Sequence, residues 1–103
     1  MNIDDLLKVG IEREASDIHL KVGQHPTLRI HGALFPLTGL GRVTSQEMEE
    51  AIEDLLNDYQ KSKLRENMDV DFAYSLSGYG RFRGNIFYQR GTLSISLRII
   101  PFE

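Results

Sequence analysis

The residues best equipped for chemistry in this 103-residue chain are four arginines, Arg81, Arg83, Arg90 and Arg98. They are the only charged residues between Phe72 and Phe102, whereas residues 1–71 carry fourteen acids against eight bases. The net charge of the whole chain is −3. An acidic chain that ends in a positively charged hairpin calls for an anion or an acidic partner at that hairpin. The guanidinium group suits this role, because its planar fork of donors matches phosphate or carboxylate oxygens two at a time.

Strand register decides which arginines can act together. If Arg90-Gly91 is a two-residue hairpin loop, Gln89 faces Thr92. One face of the hairpin then pairs Tyr88 with Leu93, Ile86 with Ile95 and Phe82 with Ile99, with Gly84 opposite Leu97. The other face pairs Phe87 with Ser94, Asn85 with Ser96, and Arg83 with Arg98. The register that buries the aliphatic residues thus sets two arginines opposite each other, which is unfavourable unless something compensates. A phosphate gripped by both, over a floor of Asn85, Ser96 and Ser94, would compensate, and Arg81 lies two residues along the same face. The plainer alternative is a pair of solvated arginines neutralised by a carboxylate such as Asp71. The register also requires Arg90 at positive φ, where Asn or Gly is preferred, and a longer loop would change it.

Other patterns carry less chemistry. The Gly78-Tyr79-Gly80-Arg81-Phe82-Arg83-Gly84 run has the wrong spacing for a dinucleotide fingerprint, and a strand follows it, so it reads as a hairpin turn. No G-x-x-x-x-G-K-[ST] sequence is present, so nucleoside triphosphate hydrolysis is not expected of this chain alone. His19, His25 and His31 fall on different elements, no cysteine accompanies them, and no metal site is expected. His19 reads as a hydrogen-bonding residue on the polar side of its strand. Glu47, Glu49, Glu50, Glu53 and Asp54 read as the solvated face of a helix. Asp69 and Asp71 read as arginine partners rather than as a catalytic pair.

The elements that must position the arginines are legible from periodicity. Residues 3–14 predict an amphipathic helix with Ile3, Leu6, Leu7 and Ile11 near one face and Asp4 and Asp5 in the first turn. Ile18, Leu20 and Val22 alternate with Asp17, His19 and Lys21 in a half-buried strand. After a turn at 23–26, residues 27–31 form a second strand. Gly32-Ala33 is expected to turn into a third, Leu34 to Leu37, which Pro36 confines to an edge. Thr44-Ser45-Gln46-Glu47 is a capping-box pattern. Behind it Met48, Ala51, Ile52, Leu55 and Leu56 recur at helical spacing. A further helix is expected from Asp58 to about Asn67, with Tyr59 and Leu64 inward. Three alternating strands, from Val70, Arg81 and Thr92 onward, complete an α/β (α+β) chain with a mostly antiparallel sheet of about six strands.

The length suits one small domain with a single core. A charge of −3 argues against wholesale nucleic-acid binding. The lack of cysteine fits a reducing compartment. Met1 to Asp5 does not read as a signal peptide, and no apolar stretch is long enough to span a bilayer. The chain ends directly after an apolar strand, at Ile100-Pro101-Phe102-Glu103, so residues 1–100 are expected to form the domain and 101–103 to begin a linker.

Several of these segments occur together in one family. Ala15-Ser16-Asp17-Ile18-His19-Leu20 resembles the segment that opens the amino-terminal domain of the type IV pilus retraction (twitching motility) ATPases. Met68-Asp69-Val70-Asp71-Phe72-Ala73-Tyr74 resembles a strand of the same domain. Arg81-Phe82-Arg83-Gly84-Asn85-Ile86-Phe87-Tyr88-Gln89-Arg90-Gly91, with Leu97-Arg98-Ile99-Ile100-Pro101, resembles its RFR-x-N-x-F-x-Q-R-G … R-x-I-P stretch. Gly84 departs from the pattern, standing where the family usually has an apolar residue.

The resemblance implies a PAS-like domain joined by a linker to a RecA-like motor domain absent from this sequence. It implies a cytoplasmic homo-hexamer, peripheral at the inner membrane beside a pilus platform protein, using ATP and Mg2+. The motor domains of the same and neighbouring subunits would be its partners. In related secretion ATPases, two arginines spaced like Arg83 and Arg98 reach bound nucleotide, and Arg81 and Arg90 are lesser candidates. Without Walker motifs this chain is not expected to be an enzyme itself, although its parent would be an ATPase. The alternative is a stand-alone PAS-like sensor or interaction module that binds a small anion or an acidic peptide.

Overall fold

A computed structural model describes residues 1–100, so the expected linker start at 101–103 lies outside the described residues. Three helices and six strands follow one another as α1 (Ile3–Glu12), β1 (Asp17–Lys21), β2 (Thr27–Ile30), β3 (Ala33–Pro36), α2 (Ser45–Leu55), α3 (Asp58–Asn67), β4 (Asp69–Leu76), β5 (Gly80–Gln89) and β6 (Thr92–Ile100). The strands form one sheet in the order β3-β2-β1-β6-β5-β4, and every neighbouring pair is antiparallel. The fold is the expected α/β arrangement.

Capping chemistry marks where the helices start. Asn2 accepts from the Asp5 N–H at α1, and Asp4 and Asp5 lie in the first turn, where the helix dipole favours carboxylates. At α2, Thr44 and Glu47 form the reciprocal box predicted from their spacing. At α3, Asn57 and Gln60 form a second box.

One face of the sheet carries the core. Ile3, Leu6 and Leu7 of α1, Met48, Ala51 and Leu55 of α2, and Leu64 of α3 join one buried cluster with Ile18, Leu20, Leu28, Phe72, Phe82, Ile86, Ile95 and Leu97 of the strands. The period-two pattern of each strand sends these residues to one side and the polar residues to the other.

Three expectations need correction. Tyr59 is 70% exposed rather than inward. It sits in the first turn of α3 with the Lys63 ammonium 5.4 Å from its ring centre, on the solvent side of the helix. The turn between β2 and β3 falls one residue earlier than expected, at His31-Gly32, both at positive φ (49° and 80°), so Ala33 belongs to the strand. Helix α1 ends at Glu12 because Glu14 takes a left-handed conformation (φ 57°). The short third strand lies at the sheet edge, where a proline costs no ladder bond.

Candidate functional site

The last hairpin forms in the register that the aliphatic pattern requires. Gln89 faces Thr92, Ile86 faces Ile95, Asn85 faces Ser96 and Arg83 faces Arg98. Arg90 and Gly91 make the two-residue turn at φ 54° and 78°, so Arg90 accepts the strained conformation. Residues directly opposite in a ladder project to the same side, so the Arg83 and Arg98 side chains share the face away from the helices. Both residues are exposed.

Around the pair is a shallow cleft of about 280 Å³, lined by Asp17, Asp71, Arg83, Gly84, Asn85, Ser96 and Arg98. Asp71, Asn85 and Ser96 belong to a row of polar residues that runs across four strands, with Asp71 facing Asn85, Asn85 facing Ser96 and Ser96 facing His19 beyond the cleft. Asn85 Nδ2 donates to Asp69 Oδ1 at 2.7 Å and to Asp71 Oδ1 at 2.8 Å. The Ser96 hydroxyl lies 3.2 Å from His19 Nδ1, while His19 Nε2 is buried without a partner among the described residues. A larger hollow of about 450 Å³ is lined by Val9, Arg13 and residues 36–40. It brings together a single cation and mainly apolar groups, so it has less to offer an anion.

The structure brings Arg83 and Arg98 together and leaves the other two arginines apart. Arg81 is exposed on the same strand, facing Ile100 and Ser75, outside the cleft lining. Arg90 sits at the hairpin tip, seven residues from Arg83, or about 23 Å along a strand.

Asp71, the expected neutralising carboxylate, is committed to Asn85 instead. The carboxylate that meets an arginine is Asp17 of β1, whose Oδ1 lies 3.5 Å from Arg98 Nε. Reasoning from the sequence missed Asp17 because its position depends on β1 pairing with β6, a contact between opposite ends of the chain. Among the described residues no group of three or more His, Cys, Asp or Glu converges as a metal site. No described helix is long and apolar enough to cross a membrane.

No family model matches the chain. The chain is 31% identical over 100 residues to the type IV pilus ATPase PilU of Pseudomonas aeruginosa, an alignment covering 97% of the chain and 26% of PilU. It is 32% identical over 101 residues to the type IV pilus retraction ATPase PilT of the same organism, covering 98% of the chain and 29% of PilT. A crystal structure of the pilus retraction motor PilT with bound ADP superimposes with a TM-score of 0.92 at 39% identity, over 100% of this chain and 30% of that one. The chain therefore spans less than a third of the length of these relatives. Matched along nearly its whole length in sequence and fold, the chain corresponds to the amino-terminal domain of PilT-like type IV pilus ATPases.

Proposed function

We propose that this chain is the amino-terminal domain of a hexameric pilus retraction ATPase. In this reading Arg83 and Arg98 contact the phosphates of a nucleotide held mainly by a RecA-like motor domain. The observation that carries the reading is the arginine pair itself: two exposed arginines set opposite each other in the β5–β6 ladder, over a polar floor. Like charges in that arrangement repel, and an anion between them turns the repulsion into two charge-assisted contacts. The solved PilT relative holds ADP, whose phosphates have the charge and oxygen geometry this pair suits.

The motor domain would supply the phosphate loop, and the nucleotide's phosphates would share the magnesium ion with it. Nucleotide contact from the amino-terminal domain makes domain closure depend on what the motor has bound, because the two arginines gain contacts only in the closed state. Arg81 is the next cation along the strand and extends the positive field. Arg90, at the hairpin tip, is suited to a partner surface rather than to the same phosphate. The neighbouring subunit's motor domain, an inner-membrane platform protein and a cytoplasmic, membrane-peripheral location complete the reading.

The test is ATP turnover by the full-length protein. Arg83→Ala and Arg98→Ala are each expected to lower it about tenfold or more, the scale of a lost charge-assisted contact. Circular dichroism should stay unchanged, because both side chains are exposed.

A further inference from the structure

Asp17 does more than balance charge. It faces Arg98 across the β1–β6 ladder, and its Oδ1 forms an ion pair with Arg98 Nε at 3.5 Å. Its other oxygen, Oδ2, accepts from the Ser16 hydroxyl at 2.7 Å. Ser16 is in turn fixed from both sides. Its N–H donates to the Arg29 carbonyl at 2.8 Å, and its own carbonyl accepts from the Ile99 N–H at 3.0 Å. The Ser16 hydroxyl also lies 3.3 Å from the Arg29 carbonyl.

The two partners differ sharply in exposure. The Asp17 side chain is 15% exposed and the Arg98 side chain 77%. The carboxylate is thus the anchored member and the arginine the projecting one. The contact uses the Nε–H, on the side of the guanidinium, and leaves the four N–H groups of Nη1 and Nη2 for another acceptor. A carboxylate seated on the Nη atoms would compete with an incoming anion, whereas one at Nε orients the group without occupying its outer edge. Among the described residues Arg83 has no such ion pair. Asp71, the other acid in the cleft, is held by Asn85.

We infer that Asp17, braced by Ser16, is a positioning residue that aims Arg98 at the anion it shares with Arg83. The identity of that anion as a nucleotide phosphate rests on the function proposed above, whereas the aiming itself does not. The Ala15-Ser16-Asp17 segment thereby gains a physical role: Ser16 stitches β1 between β2 and β6, and Asp17 transmits that rigidity to the arginine.

Two measurements test the inference. In this chain, the 15N-labelled Arg98 Nε–H should show restricted motion by nuclear magnetic resonance, with the restriction lost in Asp17→Ala and retained in part in Asp17→Asn, which keeps an acceptor. Equal Arg98 mobility in wild type and Asp17→Ala would overturn the inference. In the full-length protein, Asp17→Ala should lower ATP turnover about two- to fivefold, the scale of a partly exposed ion pair, with recovery in Asp17→Asn. It should lower turnover no further in an Arg98→Ala background. An equal loss in that background would show that Asp17 acts independently of Arg98 and would overturn its positioning role. Wild-type turnover in Arg98→Ala would instead remove the nucleotide reading and leave the positioning role to be decided by the resonance measurement.

Discussion

Phe72 faces Gly84 across β4 and β5, and its ring lies where a side chain at 84 would stand. A Cβ built on Gly84 would be 2.2 Å from the Phe72 ring tip. The glycine is needed for close approach, and a buried phenylalanine fills the space that a strand residue usually covers itself. The absence of a side chain at 84 does not leave the strand loose. Gly84→Ala should therefore destabilise the domain by about 1–3 kcal/mol through overpacking, read from the urea midpoint. An unchanged midpoint would mean that the ring moves aside freely.

Tyr74 is a second residue whose chemistry reports on packing. Its hydroxyl donates to Asp4 Oδ1 at 2.7 Å, tying β4 to the first turn of α1. Burial, and then the Asp4 carboxylate, push its pKa from the usual 10.0 to about 12. The unfolded chain gives up this proton near pH 10.0 and the folded chain only near pH 12, so between those values the folded state binds more protons and stability falls as pH rises. Tyr74→Phe should flatten that part of the stability profile in alkaline denaturation. An unaltered slope would assign it to other groups.

At the scale of elements, the last hairpin shows what sequence can and cannot reveal. Its register followed from the aliphatic faces of β5 and β6, because a slip by one residue would put Ile86 on the opposite face from Ile95 and Leu97. The conformation of Arg90 did not follow so directly, since arginine is an unusual first residue for a turn that demands positive φ. The structure accepts that strain at φ 54° to keep the register. Arg90→Asn should raise stability by about 0.5–1 kcal/mol, because Asn tolerates this conformation better. A loss of stability on thermal unfolding would show that the arginine makes a compensating contact. The helix starts at Thr44 and Asn57 were similarly local features, carried by residues three positions apart. Tyr59 misled because an aromatic ring at a helix start can cover a lysine stem as readily as a core.

For the whole molecule, pairing within hairpins was legible and sheet order was not. β1 lies beside β6 at the centre of the sheet, joining the first strand to the last. No periodicity encodes that neighbour. The arginine pair could accordingly be foreseen from one hairpin, whereas Asp17, which reaches it from the far end of the chain, could not. The same topology leaves one sheet face without helices, and that face carries Arg83, Arg98 and the polar row beneath them. Under the proposed function, that uncovered polar face with its paired cations would meet the motor domain and its bound nucleotide.

The most direct measurement is the ATP turnover of the full-length protein with Arg83 and Arg98 both changed to alanine, compared with each single change. If both guanidiniums hold the same phosphate group, each single change should cost about tenfold or more, and the double change little beyond the larger of the two. A correctly folded double variant that turns over ATP at the wild-type rate would contradict the account.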